Sequence, residues 1–531
     1  MLAFQLLVEA DANGIKTLSA GLPELRQAGG GAKISYAPPA ADPTYYLGRD
    51  IQVFSVHYMN VTRPTAATWI YFGDKPSAPK DPEGLKPVQL VPENARPGKG
   101  GMPLTVPASR VQAIWFEIYT ARDLPAGRYA GKVTVQADSI KQEIPIELEL
   151  FDFTLPDQNS MHAMVYYERD QFDLYHGQDL DSAYHRFAHR NRIELVRAYN
   201  ETAVKEHAGR LSGADFTGKT GYAGPGENVG NTIVPLTFYG PGRDFDQPET
   251  AWRRADSWMT FLKSTLPGAI TFVYMPDEPN RSQFPRIKQL AENIHSNPGP
   301  GKSLPVLVTH QYTPELDGAI DIWCSGPQGY FIQKAAEEKR KGHEYWIYNG
   351  GRPYGGAIVI DAPATDARAT IWGCFKHGIP VYFYWHGNHW RHNFQKPGNR
   401  IQNVWVEPVT FDNRGQPNKP IDDQSFANGD GVLFYPGQEK LHPEQDRGIP
   451  GPCSTVQLAN FRRGLQDHQY LTMARKLGLN DLVDEVINST VPRMFSDVKK
   501  NDPVGFSEEG DDYEKARRRL AEAIVQKQRE R

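Results

Sequence analysis

Cysteine is scarce in this chain. Only Cys324, Cys374 and Cys453 occur among 531 residues, and they stand far apart. That spacing excludes a disulfide framework and a thiolate metal site, so buried, inert thiols are expected. An excess of one charge is also missing. Lys and Arg number 59 against 63 Asp and Glu, for a formal net charge of −4, with both signs interspersed. This removes the electrostatic case for nucleic acid or an anionic membrane surface as a partner. No apolar run reaches the length of a bilayer span. The first residues, Met1-Leu2-Ala3-Phe4-Gln5-Leu6-Leu7, lack a basic segment and a cleavage site, so no signal peptide is read. A secreted or periplasmic location is the expectation only if a leader has been removed.

Several motifs are missing too. There is no Walker loop, GxSxG elbow or HExxH helix, and Gly224-Pro225-Gly226-Glu227-Asn228-Val229-Gly230 has the wrong spacing for a dinucleotide loop. His386, His389 and His392 recur every third residue, but no carboxylate or thiol stands beside them. Neither a metal nor a cofactor is expected. What is plentiful is aromatic side chain, at 11% with 10 Trp and 25 Tyr, together with 48 Gly and 42 Pro. The first suits stacking on sugar rings as well as filling a large core, and the second implies many turns.

Residues 1–156 read as all-β. Strand-like runs recur between turn signals at Ile51–Val56, Thr68–Phe72, Val111–Tyr119 and Gly131–Val135. In Ile146-Glu147-Leu148-Glu149-Leu150 apolar and acidic residues alternate as in a half-buried strand. Several such strands in about 150 residues predict an immunoglobulin-like β-sandwich. Its expected role is to pack on the next domain and to lend a loop to the site.

After Leu155-Pro156-Asp157 the periodicity changes. Apolar strands at 161–167, 270–274, 304–308, 320–323, 345–348, 381–385 and 432–435 alternate with helical patterns at 183–191, 284–294, 329–341 and 366–377. Repeated β–α alternation predicts a parallel sheet, most economically a (β/α)8 TIM-type barrel over residues 157–477. The Gly-rich stretch 205–246 reads as a long loop over the barrel mouth. Residues 478–531 form a C-terminal helical extension, with Arg517-Arg518-Arg519 on a solvated helix face.

One stretch organises the second domain: Ile270-Thr271-Phe272-Val273-Tyr274-Met275-Pro276-Asp277-Glu278-Pro279-Asn280. It begins as a buried strand and breaks on two prolines that bracket an Asp-Glu pair. Proline cannot donate to a ladder, so pairing ends near Met275 and both carboxylates stand at the strand's C-terminal mouth, the rim where barrel sites are built. Other strand ends carry His310 and Tyr312; Tyr348, Asn349 and Arg352; and Trp385, Asn388 and Trp390. Polar groups interleaved with Trp and Tyr suit a ligand with apolar faces and hydroxyl edges, which describes carbohydrate. Ordinary glycosidases set two carboxylates on opposite sides of the scissile bond, roughly 5 Å or 6.5–9.5 Å apart, from different strands. Adjacent carboxylates suit instead a reaction in which a 2-acetamido oxygen of the sugar attacks C1. Asp277 would then orient the acetamide and Glu278 would act as general acid/base, its pKa raised by burial under aromatics.

The Tyr-Met-Pro-Asp-Glu-Pro segment at 274–279 resembles the catalytic segment of glycoside hydrolase family 123. Asp361-Ala362-Pro363, Asp366-Ala367-Arg368, Trp372, Tyr384-Trp385, Trp390, Gly429-Asp430-Gly431, Tyr435-Pro436-Gly437 and the 458–471 helix extend the resemblance. It implies a β-sandwich followed by a catalytic barrel, and a retaining exo-β-N-acetylgalactosaminidase with Asp277 and Glu278 as the catalytic pair. His310, Tyr312, Tyr348, Asn349, Arg352, Trp385, Asn388 and Trp390 are the expected substrate contacts, with Tyr312 or Tyr348 donating to the acetamide oxygen. Two other readings remain open. One is a glycosidase for a sugar without an acetamido group, whose second carboxylate lies elsewhere on the rim, with Asp361 a candidate. The other is a non-catalytic carbohydrate-binding protein.

Overall fold

The computed structural model describes residues 1–72, 77–392, 400–415 and 425–530. The N-terminal part forms two antiparallel sheets across a shared apolar core. One contains Leu2–Glu9, Val111–Ile118, Ile51–Val61 and Gly84–Pro92; the other is centred on Gly127–Ala137, flanked by Ile15–Gly21, Glu24–Gln27 and Ile140–Leu150. Ile51, Val53, Ile114 and Phe116 of the first face Leu18, Leu25, Tyr129 and Val133 of the second. The alternation at 144–150 holds, since Ile144, Ile146, Leu148 and Leu150 turn towards that core and Glu147 and Glu149 turn out.

Two readings of the chain are corrected. Thr68–Phe72 is a turn, closed by the N–H groups of Ile70 and Tyr71 on Ala67 O, and not a strand. Its apolar side chains pack on Ala357, Val359 and Ala362 of the second domain, so burial there does not require a sheet. The run at 432–435 is not a barrel strand either. Tyr435–Pro436 pairs with Pro452–Thr455, which extends the first N-terminal sheet through Ser454 opposite Leu90. Residues from beyond the barrel strands thus complete a sheet begun in the first hundred.

The second part contains a curled, all-parallel sheet of seven strands, the frame of a TIM-like domain. Its order is Glu194–Val196, His162–Tyr166, Val381–Tyr384, Glu344–Tyr348, Ile322–Ser325, Val306–Val308, Val273–Tyr274. Buried on both faces, these strands read as continuous apolar runs. Met164, Phe272, Leu307, Cys324, Trp346 and Phe383 fill the interior. Between the two ends of the sheet lies 232–237, in the stretch read as loop. Val234 and Leu236 donate to Ile270 O and Phe272 O. On the other side the Glu194 carboxylate accepts from the N–H groups of Thr232 and Ile233 at 2.7 and 2.9 Å. A buried acidic side chain there does what backbone pairing does elsewhere. Glu194–Val196, a strand of only three residues, keeps its ladder with Met164–Tyr166, so the side-chain bonds close only the seam to 232–237.

Helices Asp181–Arg190, Pro248–Thr265, Phe284–His295, Ile332–Lys341 and Thr365–His377 cover the sheet, and Val456–Lys476, Asn480–Thr490 and Gly510–Arg529 close the chain. In the last helix Arg518 and Arg519 are solvated as expected, but Arg517 is buried. It donates to Asp467, whose carboxylate also takes Arg368 and the Trp372 indole. The three cysteines are free and buried. Among the described residues no helix is long and apolar enough to cross a membrane.

Glu439, 2% exposed, accepts from the N–H groups of Leu441 and His442, yet burial pushes its carboxyl up to about 7. A carboxyl whose folded pKa exceeds its unfolded one holds its proton longer in the native state. Its favourable contribution is full below the unfolded value and is lost as pH rises towards 7. Glu439→Gln is therefore expected to leave stability near pH 5 little changed and to raise it above pH 8 by up to about 3 kcal/mol. Denaturant midpoints at the two pH values check this.

Candidate active site

Six segments bring side chains to the C-terminal rim of the parallel sheet. Asp277 and Glu278 follow Val273–Tyr274; Thr309 follows Val306–Val308; Tyr348 ends Glu344–Tyr348. Trp385 follows Val381–Tyr384, Tyr166 ends His162–Tyr166, and Tyr239 follows 232–237. Thr309 ties the acidic pair together. Its hydroxyl donates to Asp277 Oδ1 at 2.9 Å and accepts the Glu278 N–H at 2.9 Å. Tyr274 donates to the same Asp277 oxygen at 2.8 Å. From across the mouth, the Tyr348 hydroxyl donates to Glu278 Oε1 at 2.6 Å.

Glu278 adopts φ 41°, a left-handed conformation that costs a residue with a Cβ of order 1–3 kcal/mol. Tyr239 (φ 54°) and Asn349 (φ 55°) share it. Three such residues converge on one rim, where the surrounding contacts hold strained backbone in place. Solvent reaches Asp277 through the mouth, but its carboxyl sits down among Tyr274 and Thr309. Burial raises its pKa against the lowering effect of those hydroxyls and of the Glu278 N–H. Glu278 is exposed, so the aromatic burial expected around it is not found. The same carboxylates, with burial as the larger cause, lift the hydroxyls of Tyr348, Tyr274 and Tyr239 well above the usual phenol range. All three remain donors at any working pH.

Of the other expected contacts, His310 stands on the rim beside Thr309, its ring edge-on to Phe284. Trp385 is at the mouth and partly exposed. Asn349 is one step back, its Oδ1 accepting the Trp385 N–H at 3.0 Å. The remaining four are not substrate contacts. Tyr312 turns outward onto Trp323, with the Lys334 ammonium 4.6 Å from its ring centre. Arg352 is 1% exposed and locked to Asp366 through two 2.6 Å bonds. Trp390 is fully buried, donating to Phe434 O at 3.0 Å amid Phe172, Tyr175 and Tyr184. Asn388, also fully buried, clamps the backbone of residue 168 by accepting from its N–H at 3.0 Å and donating to its carbonyl at 2.8 Å.

That clamp sets Glu168 on the rim, a residue that sequence reasoning missed. The His386 ring, its Nε2 3.9 Å from the carboxylate, and the Gln171 amide, donating at 2.9 Å, hold the Glu168 pKa down at about 2. Beside it opens a hollow of about 510 Å3 lined by Tyr166, Glu168, Arg169 and Arg197. A cavity of about 850 Å3 lies between the N-terminal sheets and the last helix, and none of its lining residues belongs to this mouth. Asp361 is not on the rim. It is 3% exposed and accepts from Thr65 and Asn428. Among the described residues no group of three or more His, Cys, Asp or Glu is placed to hold a metal, and the His392 side chain lies outside them.

No family model and no curated protein matches the sequence. Among solved structures, a family 123 glycoside hydrolase from Clostridium perfringens superposes with a TM-score of 0.61 over 100% of this chain and 92% of its own, at 14% identity. The chain has the fold of a family 123 glycoside hydrolase. This is the family that the 274–279 motif and its companions resemble. A β-glucuronidase from Parabacteroides merdae also matches, at 10% identity over 85% of this chain and 52% of its own, but its TM-score of 0.29 carries no weight.

Proposed function

We propose that this protein is a retaining exo-glycosidase acting on a β-linked 2-acetamido sugar, N-acetylgalactosamine in the first instance. One observation carries the reading. Asp277 and Glu278 are neighbours joined through Thr309, and the second meets Tyr348 from across the mouth. The reading takes the parallel ring as a (β/α)8 barrel completed by 232–237 and the N-terminal sheets as an immunoglobulin-like sandwich. The fold shared with the Clostridium perfringens enzyme, described for hydrolysis of glycolipid glycans, supports it.

In this mechanism Glu278 donates its proton to the glycosidic oxygen as the C1–O bond breaks. The acetamide oxygen attacks C1, and Asp277 accepts the acetamide N–H and offsets the positive charge of the oxazolinium ring. Glu278, now ionised, takes a proton from water. The water adds to C1, the ring opens and the sugar leaves with its β configuration retained. Tyr348 is placed to donate to the acetamide oxygen once substrate displaces its bond to Glu278. Release of 4-nitrophenol from β-N-acetylgalactosaminide but not from β-galactoside, blocked by a thiazoline mimic of the oxazoline, is the expected result. Turnover of the plain galactoside without thiazoline inhibition would overturn it.

Glu168 keeps a second reading alive. It is a low-pKa carboxylate on the same rim, available as the partner that Asp361 cannot be, for a sugar without an acetamido group. In that case Glu168→Gln would abolish turnover of the galactoside.

A further inference from the structure

A cavity of about 40 Å3 lies where strands Ile51–Val61 and Val111–Ile118 of the N-terminal domain meet the end of helix Asp181–Arg190 and helix Val456–Lys476. Four charged side chains stand in its wall: the guanidinium groups of Arg49, Arg190 and Arg462, and the carboxylate of Glu117. Glu117 is already paired. It accepts from Arg462 Nη2 at 2.6 Å and from Arg462 Nη1 at 3.2 Å. Two positive charges in the wall are left without a carboxylate.

Arg190 is 2% exposed and Arg49 7%, and among the described residues neither makes an ion pair. Arg190 donates through Nη1 to Ala223 O, but its Nε and Nη2 find no acceptor. Arg49 reaches Tyr45 O through Nη1 at 3.4 Å, and its Nε finds none. Glu93 acts on Arg49 from beyond ion-pair distance and takes the Tyr36 hydroxyl at 2.9 Å. The rings of Tyr46 and Tyr119 lie 4.1 and 5.2 Å from the Arg190 guanidinium, which also ends its helix at the negative pole of the dipole. Both effects offset part of the charge without accepting its in-plane N–H groups. A buried charge ordinarily has a counter-charge, because desolvation of an unpaired one is costly. Here like charges add to that cost: burial lowers the Arg49 pKa, and the Arg190 charge lowers it further.

We infer that this cavity binds a single halide ion, chloride in ordinary buffers, between Arg49 and Arg190, as a tie between the N-terminal domain and the barrel. The volume admits a monatomic anion with a water beside it and excludes a sugar or a phosphate ester. An anion there would take charge-assisted bonds from both guanidinium groups. None of the lining residues belongs to the active-site mouth, so the site does not depend on the reaction proposed above.

The test is thermal unfolding of the intact protein in sodium chloride and in sodium gluconate at equal ionic strength. An ion that binds only the folded state raises the midpoint with its concentration. From about 1 to about 100 mM chloride the midpoint is expected to rise by about 3 °C, and in gluconate to stay within about 1 °C. Arg190→Met keeps the volume and removes one of the two cations, so its midpoint should not respond to chloride. Bromide locates the ion in crystals of the wild-type protein, whatever the stability of the variant. An anomalous peak between Arg49 and Arg190 is expected. Equal wild-type midpoints in the two salts overturn the inference. A response that survives in Arg190→Met places the ion elsewhere and overturns it as well. So does a crystal without the bromide peak, which would assign the cavity to water only.

Discussion

Glu278→Gln is expected to lower kcat/KM for an aryl β-N-acetylgalactosaminide by about 10²- to 10⁴-fold, the range of a lost general acid/base. The fold should survive, since Glu278 is exposed and Tyr348 can donate to an amide oxygen as it does to the carboxylate. Asp277→Asn is expected to cost about 10²- to 10³-fold for a different reason: an amide still accepts the acetamide N–H but offers no charge to the oxazolinium ring. Leaving groups separate the two roles. An acidic phenol departs without help, so the Glu278→Gln defect shrinks from a methylumbelliferyl to a dinitrophenyl glycoside. The Asp277→Asn defect stays constant across that series. Equal dependence in both variants would remove the division of labour. The acid limb of the wild-type pH profile provides a further check. Asp277 must be ionised to work and burial raises its pKa, so activity should fall away at a pH above the ordinary aspartate range. Asp277→Asn should abolish that limb.

The acidic pair was legible because its signal is local. An apolar strand, two prolines and two carboxylates occupy eleven consecutive residues, and proline's missing N–H dictates where pairing stops. Tyr348 was legible as the last residue of a strand. Its neighbours were not distinguishable by the same means. Arg352 lies four residues on, and its fate is decided by Asp366 and Glu508, which no pattern around 352 reveals. Trp385 and Trp390 sit five apart on one loop, yet one indole finds Asp430 and the other Phe434 O. Thr309 was passed over between an apolar strand and the more conspicuous His310, though it makes the bond that joins the pair. The barrel was legible wherever strands were continuous apolar runs. It was missed at the three-residue strand Glu194–Val196 and at 232–237, whose seam is closed by a buried glutamate side chain. Local composition marks where chemistry can happen, whereas the partner that turns a side chain inward or outward lies outside the local pattern, 14 residues on for Arg352 and 45 for Trp385.

Arg352 gives this contrast its measurable form. Its guanidinium makes two 2.6 Å bonds to Asp366, one of 2.8 Å to Glu508 and one of 3.1 Å to Ser77 O. Its backbone exchanges bonds with the N-terminal loop, donating to Ile70 O and accepting from Phe72. One side chain therefore joins the N-terminal domain, the barrel and the C-terminal segment. Arg352→Met keeps the volume but leaves the Asp366 carboxylate buried, with the Ala357 N–H at 2.8 Å as its remaining hydrogen bond. Removing one partner of such a pair costs about 3–5 kcal/mol, because the orphaned charge bears its full desolvation penalty. The unfolding midpoint should drop by several degrees, while KM and kcat per folded molecule stay near wild type. Replacing both charges, Arg352→Met with Asp366→Leu, removes the orphan and should recover much of the loss. A substrate contact would behave in the opposite way, with KM rising at unchanged stability and no rescue from the second substitution. Thermal melts and Michaelis constants on the same three proteins decide between a tie that holds domains together and a residue that reads the sugar.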